Sequence, residues 1–181
     1  MAAVVYYGVQ TASILSGVSN KVVISSIELC IYAASSALKA FRPLDNGVPV
    51  GQNPLVKDEL ETLDIEAKLK TVQALVLMIQ KSRNENESQV IDDSDVVGVC
   101  LMQVKDVLES LTTTLNGLRQ ELNDHDQRWF SSWRTPDTKN HMIALRSKIL
   151  ILDKRVDMLL KVRSFVSSIE GKAPLNQVTS L

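Results

Sequence analysis

Histidine, cysteine and aromatic side chains are scarce in this sequence, and each scarcity narrows what the chain can do. Only two histidines occur, His125 and His141. Neither has cysteines, histidines or carboxylates around it at metal-ligand spacing, so no metal centre is expected. Asp124, His125 and Asp126 are mere sequence neighbours, and both histidines read as solvated surface residues. No glycine-rich phosphate loop is present, nor any Ser/His/acid or Cys/His signature. The sequence therefore offers no catalytic residue and no cofactor site, and it reads as a non-enzyme. The two cysteines, Cys30 and Cys100, sit in apolar helical runs and read as small buried hydrophobes in a reducing compartment. Aromatic residues make up 4% of the chain, which leaves an aliphatic core. The seven glycines and five prolines gather in a few places, and no alternating strand pattern appears. A net charge of −1 and a pI near 6.1 lack the basic footprint of a nucleic-acid binder.

What is present is aliphatic periodicity. Leu101, Val104, Leu108, Leu111, Leu115, Leu118 and Leu122 recur at alternating spacings of three and four. Met142, Leu145, Ile149, Leu152, Val156 and Leu159 repeat the pattern, as do Ile24, Ile27, Ile31, Ala34, Leu38 and Phe41. Ile65, Leu69, Val72, Val76 and Ile79 form a fourth set. Such spacing puts one apolar seam on one face of a helix. No single seam can offset the entropy of ordering its own helix, so the seams must meet one another. The expectation is an all-α protein: an up-down four-helix bundle of long heptad-patterned helices over about 21–41, 55–83, 94–124 and 138–169. An additional apolar helix over 1–20 precedes the bundle, and a flexible tail or linker follows over 170–181.

Punctuation between the seams supports these bounds. Arg42-Pro43 ends the first helix, because a residue before proline is pushed out of the α region. Asp45-Asn46-Gly47, Pro49, Gly51 and Pro54 mark a loop. Asp58, Glu59 and Glu61 suit the first turns of the helix that follows. Asn84–Asp93 is a polar linker, with Ser94 or Asp95 available as an N-cap.

Met1–Asn20 contains no charged residue. Without basic residues before its apolar run it is a poor secretory signal. Gln10, Ser13, Gly17 and Asn20 fall at 3-4-3 spacing, giving one polar stripe on an otherwise apolar helix. Two readings follow. The helix packs on the bundle with that stripe outward, or it serves a membrane surface or an assembled pore.

Charge is uneven along the chain. Lys57 to Asp126 carries fifteen acidic against seven basic residues, whereas Arg128 to Arg163 carries nine basic against three acidic. The last helix either neutralises acidic neighbours or presents a surface to anionic lipid or an acidic partner. Between the last two seams, Arg128, Trp129, Trp133 and Arg134 crowd an elbow. The tryptophans either plug the end of the bundle or anchor at a headgroup region or a protein partner.

The elbow Arg128-Trp129-Phe130-Ser131-Ser132-Trp133-Arg134, followed by Leu145-Arg146-Ser147-Lys148-Ile149 and Leu152-Asp153-Lys154-Arg155-Val156, resembles the HeLo-like family. That family of N-terminal four-helix bundles includes the bundle of mixed-lineage kinase domain-like proteins. The resemblance implies a cytoplasmic cell-death or immune module that self-associates and is recruited to membranes, which it permeabilises through its N-terminal helix. Val4, Val5, Val9, Ile14 and Leu15 would then form the inserting face. Arg128, Trp129, Trp133, Arg134, Lys139, Arg146 and Lys148 would meet anionic lipid or a partner. The family's basic residues on its first helices are not matched, since Met1–Glu28 carries only Lys21. The seams alone also fit a soluble adaptor that binds a partner helix, or a viral or structural assembly protein.

Overall fold

The structure, a computed structural model, describes residues 20–41, 54–85, 94–127 and 136–170. Among these residues it is all-helical, with four long helices packed together. The expected apolar helix 1–20 up to Ser19, the elbow residues 128–135 and the tail from Gly171 onward lie outside the described residues.

Helix α1 spans Asn20–Lys39, α2 Pro54–Thr62, α3 Ile65–Glu85, α4 Ser94–Asp126 and α5 Lys139–Glu170. The core is aliphatic, and its centre is α4. Leu101, Val104, Leu108, Leu111, Leu115, Leu118 and Leu122 are all buried, most of them completely. Burying a leucine stabilises by about 1.5–3 kcal/mol, so this row is the strongest single contribution to the core. A run of three threonines interrupts neither helix nor seam. Thr112, Thr113 and Thr114 each donate a hydroxyl to the carbonyl four residues back, which satisfies the polar group locally.

Helix α4 packs along both α1 and α5, while α3 packs on α1 and more lightly on α5. Side-chain contacts set the directions. Gln103 accepts from Arg155 and Gly117 meets His141, so α4 and α5 run antiparallel. Lys68 bonds Asp153 and Ser82 accepts from Arg163, so α3 and α5 run parallel. Gln80 donates to Glu28 near the middle of α1, whereas Leu38 and Phe41 at its far end share a hollow with Leu60 and Ile65; α1 and α3 are antiparallel.

One helix was expected over 55–83, and the chain forms two. α2 ends at Thr62, whose hydroxyl caps back onto the Asp58 carbonyl. Asp64 then adopts φ 47°, in the left-handed region. Its carbonyl accepts the Lys68 amide and starts α3. The cause is a phase slip in the apolar pattern. Leu60 and Ile65 are both buried, yet they stand five residues apart, about 140° out of line on a continuous helix. The turn at Leu63-Asp64 absorbs that slip, and aspartate is among the few residues that tolerate φ above zero.

Candidate interaction and membrane-facing surfaces

Of the residues singled out from sequence, Val4, Val5, Val9, Ile14, Leu15, Arg128, Trp129, Trp133 and Arg134 lie outside the described residues. Lys139, Arg146 and Lys148 occupy the first turns of α5, where the Thr138 carbonyl accepts the Met142 amide and opens the helix. Lys139 is exposed and Lys148 half-buried. Arg146 is engaged: its Nη2 forms an ion pair with Oε1 of Glu59 on α2.

The same use recurs along α5. Lys68 places its ammonium 2.8 Å from both carboxylate oxygens of Asp153. Arg155 donates to Gln103 at 2.8 Å, and Arg163 donates to Ser82 at 3.0 Å. Three of the arginines on the basic helix therefore join it to α2, α3 and α4. Lys139, Lys154 and Lys161 are exposed cations on its outer side.

The histidines are less solvated than expected. The His125 side chain is 12% exposed, with Nδ1 3.7 Å from Asp126 Oδ1. His141 is half-buried because its ring lies on α4 where Gly117 leaves room for it. Cys100 is buried as expected, but Cys30 is half-exposed, and both are free thiols. The Cys30 sulfur lies 4.0 Å from Glu109 Oε1, beside a 2.7 Å ion pair between Lys105 and Glu109. Burial pushes the Cys30 thiol up, and Glu109 adds to the effect. Burial also raises the Cys100 thiol. The hydrogen bond to Glu109 holds the Lys105 ammonium above its ordinary value. Among the described residues no three His, Cys, Asp or Glu side chains gather in a way that could hold a metal ion.

A hollow of about 530 Å³ opens where α1 ends against the break between α2 and α3. Leu38, Phe41, Leu60 and Ile65 form its floor, and Lys57, Glu61, Asp64 and Glu66 its rim. Lys57 pairs with Glu61 at 3.8 Å, and Glu66 with Lys70 at 3.0 Å.

The feature that sequence reading missed is the outer face of α1. Its inner seam of Ile24, Ile27, Ile31 and Ala34 is buried. A second stripe at the same 3-4 rhythm, Val22, Ser25, Leu29, Tyr32 and Ser36, faces solvent or is nearly so. Leu29 is 70% exposed and Tyr32 75% exposed. The signal was legible: Val22, Leu29 and Tyr32 lie on the face opposite the seam, where polar residues would be expected. The window Val22–Lys39 has a mean hydropathy of 1.4, with a third of it buried, and is long and apolar enough to cross a membrane. A buried core helix passes the same test, but the exposed stripe is not what a core requires. On α5, Ile143, Leu150 and Phe165 are also exposed, at 53%, 56% and 66%.

No family model matches the chain, and no solved structure matches it. The chain is similar to an uncharacterised protein, L717, of Acanthamoeba polyphaga mimivirus. The two are 23% identical over 163 residues, which cover 79% of this chain and 77% of that protein.

Proposed function

We propose that this protein is a non-enzymatic effector built on an up-down four-helix bundle, which self-associates and permeabilises membranes. It acts in cell death or immunity, moving from cytoplasm to membrane. One observation carries the reading. From Met1 through Lys39 the sequence holds only three charged residues, Lys21, Glu28 and Lys39. Within that stretch α1 exposes Val22, Leu29 and Tyr32. Exposed apolar surface of this kind marks a site of protein or membrane contact. In this reading Val4, Val5, Val9, Ile14 and Leu15 insert into the bilayer. Lys139 and Lys148, with the elbow's Arg128, Trp129, Trp133 and Arg134, meet anionic headgroups, which adds an electrostatic contribution to apolar insertion. Arg146 contributes less, because it is paired with Glu59.

Dye release from anionic liposomes tests the proposal. The full chain should empty vesicles, and a chain lacking Met1–Ser19 should not. No release by the full chain, or equal release by both, rejects it.

A second reading is favoured by the exposed apolar side chains on both α1 and α5. It makes the protein a soluble module that binds a partner helix or builds a viral or structural assembly. It expects ordered, concentration-dependent assemblies in lipid-free buffer and no dye release.

A further inference from the structure

We infer that the outer face of α5 lies flat on an anionic bilayer. Ile143, Leu150 and Phe165 enter the headgroup layer, and Lys139, Lys154 and Lys161 meet its phosphates. The inference rests on the membrane reading above and assigns the contact to one face of the bundle.

The flanks of α5 fix that face. On one side Arg155 reaches Gln103 of α4. On the other, Arg146 reaches Glu59 of α2 and Asp153 reaches Lys68 of α3. Between these flanks, away from the core seam, Lys139, Ile143, Leu150, Lys154, Lys161 and Phe165 are all exposed. The three apolar side chains among them are each more than half exposed. Asp157 is exposed on the same face, one acid against three lysines.

The order of these residues carries the argument. Lys139, Leu150 and Lys161 stand eleven residues apart, and so do Ile143, Lys154 and Phe165. Each cation has an apolar neighbour four residues away: Lys139 and Ile143, Leu150 and Lys154, Lys161 and Phe165. Eleven residues make three turns with a remainder of about 20°, so the row stays on one side of the helix for about 39 Å. The inner seam of Met142, Leu145, Ile149, Leu152, Val156 and Leu159 repeats every seven residues instead. Seven-residue spacing is what a packed partner helix needs, and eleven-residue spacing drifts the opposite way.

Composition then names the occupant. Large apolar side chains with lysine beside them are what an interfacial helix presents to anionic lipid. The lysine stems lie along the apolar layer while the ammoniums reach the phosphates. A second copy fits poorly. Parallel pairing in register sets lysine on lysine. Antiparallel pairing about the middle of the row sets Lys139 on Phe165, Ile143 on Lys161 and Leu150 on Lys154, which desolvates each charge without a counter-charge.

The test is flotation of the full chain with vesicles of phosphatidylcholine, alone or mixed with phosphatidylserine. Binding to the mixed vesicles only is expected, and salt should weaken it. Lys154→Glu should weaken it at least about fivefold, the worth of one cation at such a surface. Lys81→Glu, the same charge change at an exposed position on α3, should weaken it less than about twofold, because charges beyond a screening length count little. Leu150→Ser should weaken it about tenfold through lost apolar burial. All three positions are exposed, so helicity and melting should stay as they are. With Cys30 and Cys100 replaced by alanine, a polarity-sensitive fluorophore on Leu150→Cys should shift to the blue on mixed vesicles, and one on Lys81→Cys should not. Equal losses for Lys154→Glu and Lys81→Glu, or an unshifted fluorophore on Leu150→Cys, overturn the proposal. No binding to mixed vesicles also overturns it and leaves an acidic protein surface as the occupant. Binding through this face without dye release overturns only the permeabilisation reading; dye release indifferent to Lys154→Glu and Leu150→Ser overturns only this face.

Discussion

His141 closes over Gly117. A Cβ built on that glycine would stand 2.9 Å from His141 Cε1, closer than side chains pack. Glycine inside a helix costs about 1 kcal/mol relative to alanine, so its place in α4 has a local reason. Gly117→Ala alone should gain nothing, or lose about 1 kcal/mol as the ring is displaced. In a His141→Ala background the same change should stabilise by about 1 kcal/mol, its ordinary propensity gain. Urea denaturation of the four chains in this cycle measures the coupling. Equal effects in both backgrounds would show that the ring does not reserve the position.

Asp64 holds the break between α2 and α3 at φ 47°. Asp64→Gly and Asp64→Asn should leave stability within about 0.5 kcal/mol, because both residues accept the left-handed region. Asp64→Ile should cost about 1–3 kcal/mol, since a β-branched residue is strained there. Thermal melts check the order. If isoleucine is as well tolerated as glycine, the turn is not fixed by this backbone angle.

That break also shows where sequence reading stopped. Apolar seams were legible because every helix obeys the same 3.6-residue period, and the residues of the α4 seam are buried throughout. The five-residue step from Leu60 to Ile65 was equally visible, but a long periodic run outweighed one irregular interval. The paired state of Arg146 was not legible. Glu59 is far from it in sequence, and only the packing of α5 beside α2 brings them together. His141 was read as solvated for a related reason: the groove that holds it exists only once α4 and α5 meet.

Arg146 and the lysines near it should therefore separate in their effects. Arg146→Glu would set a carboxylate against Glu59, whose side chain is only 25% exposed. Leaving a half-buried carboxylate uncompensated costs about 1–3 kcal/mol, and like charge adds to that. A loss of about 2 kcal/mol or more is expected in urea denaturation. Lys139→Glu, at an exposed position, should cost less than about 0.5 kcal/mol, and adding Lys148→Glu, at a half-buried one, should bring the pair to about 1 kcal/mol at most, while reducing binding to anionic vesicles. If the lysine pair destabilises the bundle as much as Arg146→Glu, the assignment of roles along α5 is wrong.

Alkaline pH should weaken the bundle in a way that traces to its thiols. Burial raises Cys100 and Cys30, and the bond to Glu109 raises Lys105. Each group binds its proton more tightly in the folded chain than in the unfolded one. Their stabilisation is complete below the ordinary value of each group and is lost as pH climbs through the raised, folded value. The thiols come first, since their ordinary range lies below that of lysine. Stability measured by urea should therefore hold near neutrality and fall once pH enters the thiol range. In a chain carrying Cys30→Ala and Cys100→Ala that first part of the fall should shrink, although the chain starts lower for having lost a buried side chain at Cys100. An unchanged alkaline slope in the double variant would mean that other groups release their protons on unfolding instead.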